Sequence, residues 1–146
     1  MSDERVLRDI VADRQLISCA PDASVRAACK QMAEHRVSAM LVMENKKLIG
    51  IFTERDALVR VLVEGRNPDK TPIADVMVRD PQTVRAALPL AYALLLMVEG
   101  GFRHAPVVDD AGQVIGMVSA RDALGQDMVR LERELSRRET LENPRS

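Results

Sequence analysis

The sequence has very few aromatic residues: its 146 residues include no tryptophan, one tyrosine and two phenylalanines. So few rings leave little surface on which the bases of a single strand could stack. The charges are also balanced, with 21 basic and 22 acidic side chains and a formal net charge of -1, so no strong positive field would gather a polyanion. We therefore do not expect the protein to bind nucleic acid.

Long apolar runs and cysteine motifs are missing as well. The longest uncharged stretch, residues 86–98, contains Pro89 and is 13 residues long, whereas a membrane-spanning helix needs ~18 or more. The first residues, Met1 to Arg5, do not form the basic head and apolar stretch of a secretory signal. Cys19 and Cys29 have no spacing that suits a zinc site or a disulfide framework, so inert thiols are expected. We expect a cytoplasmic protein without a membrane segment.

An internal repeat is the main feature that the sequence does contain. Gly50 to Leu58 matches Gly116 to Leu124 at an offset of 66 residues, with five of nine positions identical. The same offset pairs two apolar helix faces with spacing i, i+3, i+4, i+7, namely Val25, Ala28, Cys29 and Met32 with Ala91, Leu94, Leu95 and Val98. The chain is therefore interpreted as two copies of one unit.

Each copy is predicted to contain a short strand, a helix, two strands and a second helix. The paired strands are expected at residues 37–43 and 48–52, and at 103–108 and 114–118, with turn residues between them. This pattern predicts an α/β fold in which two β-α-β-β-α units pack about a pseudo-twofold axis. Residues 1–72 are assigned to the first unit with its linker (core about 9–64), residues 73–126 to the second unit, and residues 127–146 to a C-terminal helical extension.

The C-terminal extension has a short apolar seam, formed by Leu124, Met128, Leu131 and Leu135. Three possibilities remain open for it: a helix that lies on its own domain, a helix that packs on a second subunit, or a helix that frays after Thr140, because Asn143-Pro144 should end any helix.

The repeated segments share the pattern Gly-x-x-Thr/Ser-x-Arg-Asp at a strand-to-helix junction. Thr53 with Asp56, and Ser119 with Asp122, have the spacing of a capping box, in which the hydroxyl and the acid each bond a backbone amide at the helix start. Capping gives no reason for the arginines, Arg55 and Arg121. Backbone amides and an arginine can hold phosphate, and a carboxylate can accept bonds from two ribose hydroxyls, so the same residues could bind a nucleotide.

The duplicated pattern, the strand His104 to Asp109 and the segment Asp75 to Met77 resemble a tandem pair of cystathionine-β-synthase-type (CBS) domains, also called a Bateman module. The resemblance covers about residues 9 to 126. It implies binding of an adenine nucleotide, AMP, ADP or ATP, or of S-adenosylmethionine or NAD, as a regulatory ligand in the clefts between the copies. It also implies pairing into a homodimer. No attached enzyme is recognised, so the regulated protein is expected to be another, unidentified chain.

The resemblance also implies roles for particular residues. Asp56 and Asp122 would hold ribose hydroxyls, and Thr53 and Ser119 would hold ribose or phosphate. The candidate phosphate ligands are Arg55 and Arg121. The residues that lead into the strands would contribute as well: His35 and Arg36 in the first copy, Arg103 and His104 in the second. The base would lie against Ile17, Ser18, Ala39, Thr83, Ala105 and Pro106.

The first copy departs from the pattern. At an offset of 66, Ser38-Ala-Met40 stands where the second copy has His104-Ala-Pro106. We expect bulky Met40 to narrow the first cleft, so that one site is weaker than the other.

Other residues of the sequence bear on two further functions, catalysis and dimerisation. Ser119, His104 and Asp122 are the residue types of a hydrolase triad, but Ser119 lacks the Gly-x-Ser-x-Gly elbow, and no metal-binding or phosphate-loop motif is present, so no enzymatic activity is expected. The alternative is a dimerisation scaffold that has the fold without the ligand, for which the apolar residues Tyr92, Leu96 and Met97 are the candidate contact surface.

Overall fold

Two separate sheets organise residues 5–125, which together with residues 134–138 are the part of the chain that this computed structural model describes. The first sheet has the strand order β1-β2-β3-β4, in which β1 runs parallel to β2 and the other neighbours are antiparallel. Its strands are β1 (Ser18–Cys19), β2 (Ala39–Glu44), β3 (Lys47–Thr53) and β4 (Val78–Arg79).

The second sheet repeats this arrangement with three strands. Its order is β5-β6-β7, with a parallel pair followed by an antiparallel pair. The strands are β5 (Val84–Arg85), β6 (His104–Val108) and β7 (Val114–Ser119). The predicted α/β class and its two related units are therefore confirmed.

One helix, α1 (Leu7–Val11), precedes the strands and is not predicted by the repeat. The next three, α2 (Val25–His35), α3 (Glu54–Asp56) and α4 (Leu90–Gly100), lie between and after the strands at the places that the repeat predicts. A π-helical segment, Ala57–Leu62, continues α3, whereas β7 is followed by a five-residue 3-10 helix, Ala120–Leu124. The two units thus end their repeated segments in different kinds of helix. The predicted C-terminal extension lies mostly outside the described residues; residues 134–138 are helical and exposed.

Each of the two hydrophobic cores contains residues from both halves of the chain, on either side of the predicted unit boundary at residue 72. Leu7 and Val11 of α1 lie in the core of the second unit with Leu90 and Val107. Their backbone continues the contact, because the amide of Leu7 donates to the carbonyl of Leu88 at 3.0 Å.

The reciprocal exchange places the start of the second half in the first unit. Ile73, Val76 and Met77 lie in the first core, and β4 pairs with β3 through Ile51 and Val78. The amide of Ile73 donates to the carbonyl of Ala23 at 2.8 Å, which mirrors the bond from Leu7 to Leu88. Each unit is therefore completed by a segment from the other half of the chain, and the domain boundaries at 72 and 126 stay a prediction about sequence units.

One helix face was predicted wrongly. The first face is confirmed, because α2 buries Val25, Ala28 and Met32. The second face is shifted by one residue: α4 buries Leu90, Ala93 and Met97, whereas Val98 is 81% exposed. Nearly every residue of α4 is apolar, so periodicity could not fix which side faces the core. Met97 consequently belongs to the core and not to a surplus contact surface.

Candidate functional site

Predicted site residues of the first unit lie at one end of the sheet, where β1 and β2 begin and β3 ends. Ala39 begins β2 and lies directly opposite Thr53, the last residue of β3. The carbonyl of Ile17, just before β1, accepts from the amide of Leu41 on the adjacent strand. The parallel pairing of β1 with β2 thus brings Ile17 and Ser18 to the same sheet end as Ala39 and Thr53.

The second unit forms the equivalent sheet end. His104, the first residue of β6, lies opposite Ser119, the last residue of β7, and Ala105 lies opposite Val118. Thr83 immediately precedes β5, which runs parallel to β6. The backbones of Ala105 and Pro106 are next along β6, and both residues are buried.

The two sheet ends meet across the interface between the units. The Oγ of Ser38 and the Nε2 of His104 are hydrogen bonded at 2.8 Å, although the two residues are 66 positions apart. Burial lowers the pKa of His104; the carboxylates of Glu54 and Asp122 oppose this effect, and Arg103 adds to it. The contact with Ser38 thus joins the two sheet ends through the Nε2 of His104.

Asp56 forms the predicted capping box with Thr53. Its Oδ2 accepts from the backbone amide and from the Oγ1 of Thr53, each at 3.0 Å, and the Asp56 amide donates back to Thr53 Oγ1 at 3.2 Å. The other oxygen, Oδ1, lies 3.5 Å from the Nε of Arg60, one turn along the helix. The side chain is only 11% exposed, so the protein holds this carboxylate in a fixed position at the sheet end.

Asp122 forms the corresponding box with Ser119, whose amide donates to its Oδ2 at 2.8 Å. In addition, the guanidinium of Arg14 spans the carboxylate, with Nη1 at 3.0 Å from Oδ2 and Nη2 at 2.5 Å from Oδ1. Arg5 donates to the backbone carbonyl of Asp122 at 2.7 Å. Burial alone would raise the pKa of Asp122, but the bonds from Arg14 and the Ser119 amide, and the charge of Arg5, outweigh it and the pKa lies below its ordinary value.

The two candidate phosphate ligands, Arg55 and Arg121, are exposed residues. The strand-entry candidates His35, Arg36 and Arg103 are exposed as well. His35 bonds to its own helix, with Nδ1 at 2.9 Å from the carbonyl of Gln31. Arg36 ends α2 in the left-handed region, with a φ of 55°. Thr83 is exposed as well, whereas Ile17, Ala39, Ala105 and Pro106 are buried.

The residues that sequence reasoning missed are the partners of the two carboxylates, Arg60 and Arg14. Arg60 lies four residues after Asp56, a spacing that predicts a helical ion pair and could have been found. Arg14 is 108 residues from Asp122, and only the packing of α1 on the second unit brings it near.

The strand register corrects the comparison of the two copies. Ala39 pairs with Thr53 as His104 pairs with Ser119, so the structure aligns Ala39-Met40-Leu41, and not Ser38-Ala-Met40, with His104-Ala-Pro106. The offset is 65 in this region and 66 from Gly50 onward, because the connection after β6 is one residue longer than that after β2. Met40 is fully buried in the first core, so the expectation that it narrows the cleft is wrong.

The glycine of the repeated pattern has a packing role. A Cβ on Gly116 would lie 2.6 Å from the Cβ of Val11, and a Cβ on Gly50 would lie 2.9 Å from the Cγ of Met77. The segments that each half contributes to the opposite core, α1 with Val11 and the stretch from Ile73 to Met77, approach these positions closely and therefore favour a residue without a side chain. This accounts for the glycine without any ligand.

Comparisons with known proteins agree with this architecture. The family model of the CBS domain matches the chain twice, at residues 7–62 and 73–128. The chain therefore belongs to the CBS-domain family, as a tandem pair.

Relatives and solved structures support the assignment. Protein MK0525 of Methanopyrus kandleri is 37% identical over 115 residues, which are 78% of this chain and 59% of that protein. The CBS domain pair of protein MJ0100, solved with 5′-methylthioadenosine and S-adenosyl-L-methionine, has a TM-score of 0.72 and 25% identity, covering 82% of this chain and 92% of that one.

CBS domain protein PAE2072 from Pyrobaculum aerophilum, solved with AMP, has a TM-score of 0.76 and 24% identity, covering 88% of this chain and 97% of that one; it shows the shared fold. Within the described ranges, no helix is both long and apolar enough to cross a membrane.

Proposed function

We propose that this protein is a regulatory module that binds an adenine nucleotide, of the AMP, ADP or ATP type, at the two sheet ends and acts on a separate partner protein. The observation that carries the proposal is the pair of matched carboxylates, Asp56 and Asp122. Each is nearly buried, fixed by a capping box and placed at a sheet end, and the two sheet ends contact each other through Ser38 and His104.

The chemistry of these sheet ends suits a nucleoside. An ionised carboxylate only accepts hydrogen bonds, and the two adjacent hydroxyls of a ribose can each donate one hydrogen bond to it. Ala39, the first residue of β2, is small and lies opposite Thr53 at the first sheet end, where its methyl group adds little bulk beside the hydroxyl. The complex of the MJ0100 pair with two adenosine derivatives supports an adenosine-type ligand.

A ligand between the units would regulate by shifting the balance between packings of the two units. It can do so only by the difference in its affinity for those packings. Because Leu7 and Ile73 each lie in the core of the opposite unit, a change of packing would move the segments around both residues. A partner protein that contacts these segments would then respond to the ligand.

Thermal unfolding with AMP, ADP and ATP tests the proposal. Ligand binding to the native state raises the Tm, as RT ln(1 + [L]/Kd) requires, so each nucleotide that binds is expected to stabilise the protein. Asp56→Ala should remove most of the increase, at a separate cost of about 1 kcal/mol in the absence of nucleotide for the lost cap. Asp110→Ala is the matched control, because Asp110 is an exposed acid in a loop.

The outcomes separate the proposal from its alternative. If millimolar adenine nucleotide leaves the Tm of the wild type unchanged, the sensing function is wrong and the dimerisation scaffold takes its place. An equal loss of response in Asp110→Ala would also contradict the role of Asp56, because the effect would then follow net charge and not the site.

A second function, dimerisation, is favoured by exposed apolar residues on the helices. Leu62 and Val63 after β3 are 72% and 71% exposed, and Val98 on α4 is 81% exposed. A groove of about 400 Å³ lies beside Leu62, between α2 and the π-helical segment, and shares no lining residue with the sheet ends. We propose that these helices form a homodimer contact. Sedimentation should show a dimer for the wild type and a monomer for Leu62→Glu; a monomeric wild type contradicts the contact.

A further inference from the structure

Arg14 lies on the connection that joins the two units. The connection leaves α1, whose residues Leu7 and Val11 belong to the second core, and enters β1, which belongs to the first sheet. Its residues 12–16 are exposed. Arg14 is thus carried to the second unit by the packing of α1, although it lies in the first half of the chain.

The Arg14 guanidinium uses both oxygens of the Asp122 carboxylate. One nitrogen donates to each oxygen, and Nη1 also lies 3.4 Å from the carbonyl of Met117. The Asp122 side chain is 12% exposed while that of Arg14 is 41% exposed. The arginine therefore lies on the solvent side of the carboxylate.

The contacts of the Asp56 carboxylate differ from those of Asp122. Its Oδ2 accepts from Thr53, as the Oδ2 of Asp122 accepts from Ser119, but its Oδ1 has only the Nε of Arg60 at 3.5 Å among the contacts described. The Nη1 of Arg60 donates instead to the carbonyl of Met77 at 3.1 Å. Arg79, the last residue of β4, has its Nη2 3.5 Å from the carbonyl of Ala74, and no bond from it to Asp56 is found among the described contacts.

We propose that Arg14 competes with the ligand for Asp122, so that the two sites of this protein fill unequally. The proposal rests on the proposed function. In both aspartates the capping box uses Oδ2, so a ribose hydroxyl must donate to Oδ1, and at Asp122 the Nη2 of Arg14 already donates to that oxygen. A nucleoside enters the second site only when Arg14 leaves, whereas at Asp56 it replaces one long contact. The first site therefore binds at lower nucleotide concentration, and filling of the second site releases the connection between the units.

Calorimetric titration in an Asp56→Asn background isolates the second site. Asparagine keeps an oxygen for the cap but loses the charge that recognises the ribose. Addition of Arg14→Ala should tighten binding of AMP and of adenosine alike, by roughly three- to tenfold, the range expected for a partly exposed charged pair. Arg79→Ala in the same background is the matched control and should leave both affinities unchanged.

The two probes distinguish competition from a direct role in binding. Adenosine has no phosphate, so if Arg14 binds phosphate, Arg14→Ala weakens AMP and leaves adenosine unchanged, which overturns the proposal. Unchanged affinity for both probes overturns it as well. Arg14→Gln, which keeps most of the side chain, should give the same direction as Arg14→Ala, and far-UV circular dichroism checks that both variants fold.

Failure of the proposed function gives a different result. If the wild type and all variants bind neither probe, the nucleotide function fails and the competition fails with it. If the wild type binds AMP through Asp56 but removal of Arg14 gives no gain, only the competition is wrong.

Discussion

The two sheet ends have the same scaffold but different electrostatic partners. In both units a hydroxyl and an aspartate close a capping box at the end of an antiparallel strand pair. In the first unit the aspartate has a neighbour on its own helix, Arg60, whereas in the second it has Arg14 from the other half of the chain. Duplication thus preserved the backbone positions of the acids, while the charges that surround them became unequal.

The largest expected effects come from the exchanged segments that make each unit depend on the other. Leu7 and Ile73 are fully buried in opposite cores, so Leu7→Ala and Ile73→Ala should each cost about 2 to 5 kcal/mol of the free energy of unfolding. Chemical denaturation measures the cost, and Leu16→Ala, at a residue that is 38% exposed, is the milder control.

Hydrogen exchange shows which unit each substitution affects. Leu7→Ala should reduce protection first in β6 and β7, and Ile73→Ala first in β2 and β3. If each substitution instead loosens the unit of its own chain half, the exchange of segments is contradicted.

The two glycines of the repeat should tolerate alanine unequally. At Gly116 the new methyl meets Val11 at its branched Cβ, which cannot rotate away, so Gly116→Ala should cost about 1 to 3 kcal/mol. At Gly50 the closest atoms belong to the flexible side chain of Met77, so Gly50→Ala should cost less. Denaturation midpoints measured side by side check the order, and equal or reversed costs would refute it.

A smaller effect is expected from pH, because His104 at the interface has a lowered pKa. The unfolded chain then binds more protons near neutral pH, so this contribution to stability is complete above the ordinary histidine pKa and declines as the pH falls below it. Between about pH 8 and about pH 5.5 the Tm should fall in the wild type and fall less in His104→Gln.

The exposed histidine supplies the control for this titration. His35→Gln is the matched substitution, because it replaces the other histidine of the chain, which is exposed at the end of α2. An identical pH profile for the wild type and His104→Gln would show that the histidine at the interface does not set it.

The local parts of the fold could be predicted from the sequence. The strand pairs, α2 and the two capping boxes follow from alternation, apolar spacing and a hydroxyl three residues before an acid, which all report on neighbouring residues. The face of α4 could not be fixed, because ten of its eleven residues from Leu90 to Gly100 are uncharged and most are apolar. A one-residue difference in the turn after the first strand of each pair hid the true alignment of β2 with β6.

The long-range parts of the site could not be predicted in this way. The position of α1 in the second core depends on contacts between residues about 80 or more positions apart, such as Leu7 with Leu90, and no local pattern encodes them. The same packing sets the distance between Arg14 and Asp122. The sequence therefore predicts both aspartates, whereas Arg14, which gives Asp122 an ion pair from the other half of the chain, is found only from the fold.

Equilibrium titration of the wild type with AMP, followed by calorimetry beside Asp56→Ala, is the most direct measurement for the account as a whole. We expect saturable binding in which the tighter phase is lost in Asp56→Ala and a weaker phase at Asp122 remains. No heat of binding at millimolar AMP, or a binding curve that Asp56→Ala leaves intact, would contradict it.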